Sequence, residues 1–291
     1  IQNIPIEIEI FLKYTLSEVQ LFKEYKTSYL PDLTLTGINK RDEWFRVYND
    51  FNRSGYVVLK SVFNNSKINK FLKEIDILSE KLVRNYKRPY VNLTRDNKVN
   101  TGHNLNIIFS KSFLMKISKN KTISKILKKM LGENVLVRNL EVFLKPPKTG
   151  MRAPFHQDNY YWNLDDKRAV NLWIALDKVD KKNGGLIYLK GSHRGGIIEH
   201  KISNVKGSSQ EIDNKLIKKL KYKKVSPKLN PGDCILHHCE VIHGSNTNTT
   251  DKMRRAIVIS FKAKSSNINK KKFKIYQLKL KKHIKRYSSK K

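Results

Sequence analysis

The chain has 291 residues, with 60 Lys or Arg against 25 Asp or Glu, and its formal net charge at pH 7 is +35. A hydrophobic fraction of 39% with 10% aromatic residues excludes a disordered chain, and this length suits one large domain with a substantial core. No segment approaches the roughly 18 consecutive apolar residues that a membrane-spanning helix needs, so we expect no membrane span.

The basic charge is typical of proteins that bind nucleic acid or a membrane surface. Most of the basic residues are Lys, however, and few aromatic residues are interleaved with them as a single-strand-binding groove requires. A composition biased towards Lys, Asn and Ile gives the same charge without a polyanion, so we expect no obligatory nucleic acid partner. Two cysteines and the absence of a basic, then apolar, start at residues 1–10 predict a cytoplasmic protein.

In chain order, a β-branched run at residues 55–60 is followed by two helical patterns. The first has apolar residues at three- and four-residue steps, which predicts an amphipathic helix: Ile68, Phe71, Leu72, Ile75, Leu78 and Leu82. The second starts near Ser112 and stops at Gly132, a common signal for the end of a helix. Residues 1–133 are therefore predicted to be mostly helical.

From Asn134 onward the apolar period changes to two. This predicts strands at 135–144, 169–176, 186–189, 233–237 and 256–261, separated by turns that contain Gly and Pro. Short strands after a helical preface predict a single domain, mainly β, with a jelly-roll core over 134–265 and helices packed on one outer face.

Two polar segments complete the prediction. Residues 203–224 are expected to form a loop or surface helix inserted between core strands. The basic segment 266–291 is expected to contain a final strand at about 273–280 followed by a solvated tail, with an electrostatic arm as the alternative.

The residues with the clearest chemical pattern are Phe155-His156-Gln157-Asp158. Side chains at i and i+2 point to the same side of an extended strand, so His156 and Asp158 can bind one ion together. With one distant His they would form a facial triad, which leaves adjacent positions open on Fe(II) for a bidentate 2-oxo acid and dioxygen. A His-x-Asp sequence alone is weak evidence, because it arises by chance in many proteins.

The second half of the pattern is a predicted strand that leads to His243, with Arg254 eleven positions later at the start of another strand. This spacing predicts a ligand and a cation at the same end of the barrel, where a guanidinium can bind a carboxylate through two parallel hydrogen bonds. His237 and His238 are alternatives to His243 as the third ligand, but their position inside a strand favours a structural role for them. Arg255 competes with Arg254, and only one of the two can face the interior.

Four separated motifs occur in one order along the chain: residues 156–162, 171–177, 183–193 and 243–245. Together they resemble the phytanoyl-CoA dioxygenase family, from about Gly55 to Phe261 and most strongly from Leu144 onward. The resemblance implies a double-stranded β-helix of the cupin-like kind, Fe(II), 2-oxoglutarate as co-substrate, and O2.

By position, the resemblance implies that His156, Asp158 and His243 are the iron ligands. It implies that Arg254, rather than Arg255, binds the distal carboxylate of 2-oxoglutarate. It also places four further residues at or beside the co-substrate: Ser245, Trp173, Gln157 and Lys145.

The expected activity is hydroxylation of an unactivated C–H bond in a small molecule, with formation of succinate and CO2. The basic composition favours an anionic substrate. Asp158 argues against halogenation, because halogenating relatives have a small residue at that position, whereas desaturation and ring closure stay open. The alternatives are an oxygenase that acts on nucleic acid or protein, and a non-catalytic β-sandwich binding module whose His and Asp residues are incidental.

Overall fold

The computed structural model describes residues 40–85, 91–109, 113–119, 121–205 and 207–288. The first half contains α1 (Lys40–Ser54), β1 (Tyr56–Leu59), α2 (Asn65–Asn85), β2 (Val91–Leu93), β3 (Val99–Gly102), α3 (Leu105–Ile108), α4 (Phe113–Ser118) and α5 (Lys121–Leu131). There follow β4 (Val135–Lys145), β5 (Ala153–His156), α6 (Asp158–Trp162), β6 (Ala169–Ala175) and β7 (Leu186–Leu189). The last elements are β8 (Lys201–Ile202), β9 (Gln210–Glu211), α7 (Asn214–Lys219), β10 (Lys224–Val225), β11 (Cys234–His238), β12 (His243–Ser245), β13 (Arg254–Ala263) and α8 (Lys270–Ser288).

Eleven of these strands form two antiparallel sheets. The large sheet has the order β1-β11-β6-β13-β4-β3-β2, and the small sheet has the order β10-β7-β12-β5. Apolar residues of both sheets pack between them: Trp173, Ile235 and Val258 of the large sheet lie in one cluster with Tyr188 of the small sheet. The space between the two sheets is called the lumen below. The predicted jelly-roll of double-stranded β-helix type is confirmed.

Strand β6 shows why the large sheet separates two environments. All seven of its residues are buried, and alternation sends successive side chains to opposite faces. Leu172 and Ile174 pack under the helices, whereas Trp173 and Ala175 pack in the lumen. Because both faces are covered, this strand carries apolar residues on both sides.

Helix α2 covers the outer face of the large sheet. The predicted stripe is confirmed, with five residues almost wholly buried: Ile68, Phe71, Ile75, Leu78 and Leu82. Each such side chain stabilises the fold by about 1.5–3 kcal/mol relative to an exposed one. The stripe shares one core cluster with the outward side chains of β4, β6 and β13, so the predicted packing of helices on one face of the sheet is confirmed.

The prediction of a final strand at 273–280 is wrong, because these residues lie in helix α8. The less exposed positions of the segment follow helical rather than alternating spacing: Phe273, Tyr276, Lys279, Leu280 and His283. The side chain of Asn269 accepts a hydrogen bond from the Lys272 amide at 2.9 Å and caps the helix start.

The inserted segment 203–224 contains α7, which agrees with the predicted alternative of a surface helix, and Ile217 of this helix is buried. Residues 1–39 of the predicted helical preface, and Ser112, lie outside the described residues. In the described residues, no helix combines the length and apolarity that crossing a bilayer requires.

Candidate metal centre

Two neighbouring strands of the small sheet carry the predicted ligands. His156 is the last residue of β5 and lies opposite His243, the first residue of β12. The prediction that Asp158 continues the β5 strand is wrong, because Asp158 begins helix α6. Gln157 between them keeps an extended backbone (φ −121°, ψ 129°), so His156 and Asp158 still point to the same side.

The three side chains converge on one point. One ligand atom from each of His156, Asp158 and His243 lies within 4.8 Å of the other two. The Nε2 atom of His156 is 3.6 Å from Asp158 Oδ1, and the Nε2 atom of His243 is 3.8 Å from Asp158 Oδ2. Ligands at right angles on an ion with bonds of about 2.1 Å lie about 3 Å apart, so small movements suffice to close the set on a metal.

Backbone carbonyls orient both imidazoles. The Nδ1–H of His156 donates to the Pro154 carbonyl at 2.8 Å, and that of His243 donates to the Val241 carbonyl at 3.0 Å. These bonds fix the tautomer in which each Nε2 lone pair is free to bind a cation. Burial lowers the pKa of His243 to about 3, so its ring is neutral at pH 7 as a metal ligand must be.

Asp158 is held by a second group of buried side chains. Its Oδ2 accepts a hydrogen bond from the Asn171 amide at 2.7 Å and lies 3.3 Å from His237 Nε2. The other ring nitrogen of His237 is 3.0 Å from the Tyr188 hydroxyl. Burial alone would raise the pKa of Asp158, but the surrounding imidazoles outweigh it and hold that pKa well below its usual value. The carboxylate is therefore ionised and aimed at the centre.

Two cations lie further along the same lumen. Lys145 at the end of β4 pairs in register with Arg254 at the start of β13, and both are 3% exposed. Lys145 Nζ donates to the Ser245 hydroxyl at 2.6 Å and to the Asn246 carbonyl. The guanidinium of Arg254 lies 5.6 Å from the centre of the Trp173 ring. The predicted residues Lys145, Ser245, Trp173 and Arg254 thus form one cluster.

This cluster suits an anion. Within the described part of the chain, the hydrogen-bond partners of Lys145 and Arg254 are a hydroxyl and carbonyl oxygens, without a carboxylate among them. Burial lowers the pKa of Arg254 to about 9, and burial with the nearby Arg254 charge holds the pKa of Lys145 well below its usual value. The Nε atom of Arg254 is buried without a hydrogen-bond partner. A bound carboxylate would stabilise both cations.

Arg254 and Arg255 face opposite ways, as strand alternation predicts. Arg255 points away from the lumen and makes a two-pronged ion pair with Asp177, at 3.0 Å from Nε and 2.9 Å from Nη2. Its charge is therefore already paired.

Gln157 does not join the cofactor cluster. It is fully buried, and its Nε2 donates to the Gly196 and Glu240 carbonyls while its Oε1 accepts from the Ile198 amide, all at 2.8 Å. Its amide links the loop after β7 to the loop between β11 and β12, which the resemblance had not indicated.

Sequence reasoning did not single out the partners of Asp158. Asn171 and Tyr188 lie within the motifs 171–177 and 183–193, but neither was assigned a role. His237 was given a structural role, and its contact with Asp158 agrees with that prediction. In the sequence, only strand alternation indicates that Asn171, Tyr188 and His237 occupy inward-facing positions of β6, β7 and β11.

A double-stranded β-helix in which two histidines and one carboxylate converge so that they could hold one metal ion has the architecture of a facial-triad metal protein. The model of the phytanoyl-CoA dioxygenase (PhyH) family matches residues 51–256. The chain belongs to this family.

Individual relatives agree with this assignment. The peroxisomal phytanoyl-CoA dioxygenase of Mus musculus is 30% identical over 138 residues, which cover 45% of this chain and 40% of the mouse protein. The ectoine dioxygenase of Sphingopyxis alaskensis is 25% identical over 240 residues, 76% of each chain. The crystal structure of EctD from S. alaskensis with bound Fe shares the fold with a TM-score of 0.65 and 22% identity, over 82% of both chains. The chain thus spans about two fifths of the mouse enzyme and most of the ectoine enzyme.

Proposed function

We propose that this chain is an Fe(II)- and 2-oxoglutarate-dependent dioxygenase that hydroxylates an unactivated C–H bond of a small molecule. The observation that carries the proposal is the pairing of two features in one lumen. The triad of His156, Asp158 and His243 offers a two-imidazole, one-carboxylate donor set, which suits Fe(II). Arg254 and Lys145 offer buried positive charge for a dicarboxylate.

The distance between the triad and the two buried cations suits the length of 2-oxoglutarate. Ser245 lies two residues after His243 on β12, which places it about 7 Å along the same face of the strand. Lys145 reaches Ser245 from the neighbouring sheet. A five-carbon dicarboxylic acid can therefore place one end at the triad and the other between Lys145 and Arg254.

In this proposal, iron with dioxygen and 2-oxoglutarate supplies an oxidant for C–H bonds, and succinate and CO2 are the by-products. The chain's own residues would bind the metal and orient the co-substrate. His156, Asp158 and His243 would hold the metal on one face, and Asn171 would keep Asp158 from rotating. Arg254 would fix the direction of the co-substrate.

Two other functions are less well supported by this arrangement of side chains. A non-catalytic module gives no reason for three ligand atoms to converge beside two unpaired buried cations. An oxygenase of nucleic acid or protein rests on net charge alone, and it predicts binding that weakens steeply with salt. We also propose that the described elements act as one domain in the cytoplasm, although the mouse relative is peroxisomal by name.

The proposal is tested by titrating 2-oxoglutarate into the Fe(II)-loaded protein without oxygen. We expect a weak visible charge-transfer band that is absent in His156→Gln and retained in the matched variant His283→Gln, whose histidine lies on α8. A succinate-production screen over candidate substrates then identifies turnover. If the wild type shows no band, or His156→Gln keeps it, the proposed function is wrong.

A further inference from the structure

The lumen-facing side of β4 continues past the proposed co-substrate site to a second basic group. Ser260 of β13 pairs with Asn139, and Phe261 pairs with Val137, so Arg138 is the extra residue of a β-bulge. Bulges redirect side chains and are common beside active sites. Ser260 itself donates to Asn171, which binds Asp158, so two hydrogen bonds link the strand opposite the bulge to a predicted metal ligand.

Arg138 is directed at the end of helix α6. Its guanidinium carbon lies 4.7 Å from the centre of the Trp162 ring, and Trp162 is one helical turn after Asp158. A guanidinium that stacks on an aromatic face keeps its N–H edges available for a planar, two-pronged ligand. Burial lowers the pKa of Arg138 to about 10, which leaves it positively charged at neutral pH.

No carboxylate of the described residues binds this charge directly. The structure gives the Arg138 guanidinium no ion pair or side-chain hydrogen bond there, and Glu141 and Asp158 attract it only at longer range. The nearest candidate on its own strand, Glu141, binds His103 Nδ1 at 2.6 Å instead. Beside Arg138, the Oδ1 atom of Asn139 is buried without a hydrogen-bond partner. Two adjacent polar groups with unmet capacity are costly unless a ligand completes them.

The co-substrate does not account for this site. Lys145 and Asn139 are six residues apart on β4, which corresponds to about 20 Å along the strand. A five-carbon acid anchored at Lys145 and Arg254 ends at the metal and does not extend to the bulge. The unpaired cation is thus left for the other small molecule of the reaction.

We propose that Arg138 binds an anionic group of the substrate, a carboxylate or a phosphate, at the end of the lumen opposite Arg254, and that Asn139 binds a neighbouring polar group. This inference rests on the proposed function, because it assigns the substrate side of the same centre. Helix α8 adds one wall of the subsite through Tyr276, whose ring lies 5.9 Å from that of Tyr161. The Tyr161 ring in turn lies 5.5 Å from that of His156.

The test uses the anaerobic protein loaded with Fe(II) and 2-oxoglutarate and a library of matched pairs. One arm pairs small carboxylates with their carboxamides, and the other pairs phosphate monoesters with their alcohols. Binding is measured by calorimetry and by change in the charge-transfer band. The variants are Arg138→Gln, Arg138→Lys and the control Arg95→Gln, which removes an exposed arginine in the turn between β2 and β3.

We expect the wild type to prefer the anionic members of one arm, and the arm identifies the anion. Arg138→Gln should weaken their binding roughly 10- to 100-fold, as expected for lost hydrogen bonds to a charged group, while Arg138→Lys retains part of it and Arg95→Gln all of it. Arg138→Met, which keeps the aliphatic contact with Trp162, replaces the glutamine variant if that variant loses the band.

Two results overturn the inference. One is a wild type that binds anionic and neutral members equally, including binding neither. The other is an Arg138→Gln protein that keeps wild-type affinity for the anion. Absence of the 2-oxoglutarate band in the wild type is a different failure, because it refutes the proposed function before any substrate is added.

Discussion

The two adjacent arginines at the start of β13 allow a matched experiment. Arg254 faces the lumen without a carboxylate partner, and Arg255 faces outward in an ion pair with Asp177. Substituting Met at each position removes one guanidinium and keeps an aliphatic chain. We predict that Arg254→Met weakens 2-oxoglutarate binding and that Arg255→Met does not.

The magnitude follows from the burial of the cluster. Truncating one partner of a buried, hydrogen-bonded charge pair costs about 2–5 kcal/mol, so the Kd for 2-oxoglutarate should rise roughly 30-fold to several thousand-fold in Arg254→Met. The Arg255 and Asp177 side chains are 24% and 20% exposed, and water screens part of their attraction. Loss of that pair should lower the free energy of unfolding by about 1 kcal/mol.

The assay is an anaerobic titration of 2-oxoglutarate into the Fe(II)-loaded proteins, with urea unfolding of the same metal-free proteins. The two variants should differ in opposite ways. Arg254→Met should lose affinity for 2-oxoglutarate, and Arg255→Met should lose free energy of unfolding. Equal losses of 2-oxoglutarate affinity in the two variants would refute the assignment of Arg254 as the anchor.

Three further predictions concern separate parts of the molecule. Gly184→Ala should weaken 2-oxoglutarate binding and lower the Tm, because at φ +83° its Cβ would lie 2.6 Å from Lys145 Cδ; the strain costs about 1–2 kcal/mol. Burial lowers the pKa of His200 to about 3, so below about pH 6.5 the unfolded chain gains a proton that the folded chain lacks. As the pH is lowered below that value, His200 should reduce the free energy of unfolding by about 1.4 kcal/mol per pH unit. Urea unfolding at about pH 7.5, 6.5 and 5.5 measures this slope. Ile174→Ala should cost about 2–5 kcal/mol of stability without changing the Kd for 2-oxoglutarate, since its side chain packs under the helices.

Each of these has a result that contradicts it. Unchanged co-substrate affinity in Gly184→Ala would show that the position of Lys145 does not matter for binding. A pH slope of stability that is the same in His200→Gln as in the wild type would contradict the assigned cause. A raised Kd in Ile174→Ala would mean that the two faces of β6 are not energetically separate.

The metal centre could be predicted because its ligands depend on local geometry. His156 and Asp158 are two residues apart, and the extended backbone of Gln157 keeps their side chains together even though the strand ends between them. Strand alternation allowed only one of Arg254 and Arg255 to face the interior, and the family resemblance selected Arg254.

The wrong prediction of a strand at 273–280 arose because both a strand period and a helix period fit the same residues. In the segment that forms α8, Phe273 and Ile275 alternate with Lys, which suggested a strand, but Phe273, Tyr276 and His283 also fit a helix. The choice depended on packing against the body of the protein, which no local pattern contains. The surroundings of Gln157 also depend on the tertiary fold, since its three hydrogen-bond partners come from distant loops.

The bulge at Arg138 shows why the substrate side of the site was beyond sequence reasoning. A strict alternation along β4 would send Arg138 to the same face as Leu140, under the helices, where an unpaired guanidinium would be very costly to bury. The extra residue between Val137 and Asn139 breaks this alternation and lets the Arg138 side chain contact Trp162 instead. In the proposed function the same strand binds two anions, with Lys145 at the co-substrate end and Arg138 at the other. Deletion of the extra residue, which would restore regular pairing, should therefore impair binding of anionic substrates, measured by calorimetry, while leaving 2-oxoglutarate binding intact.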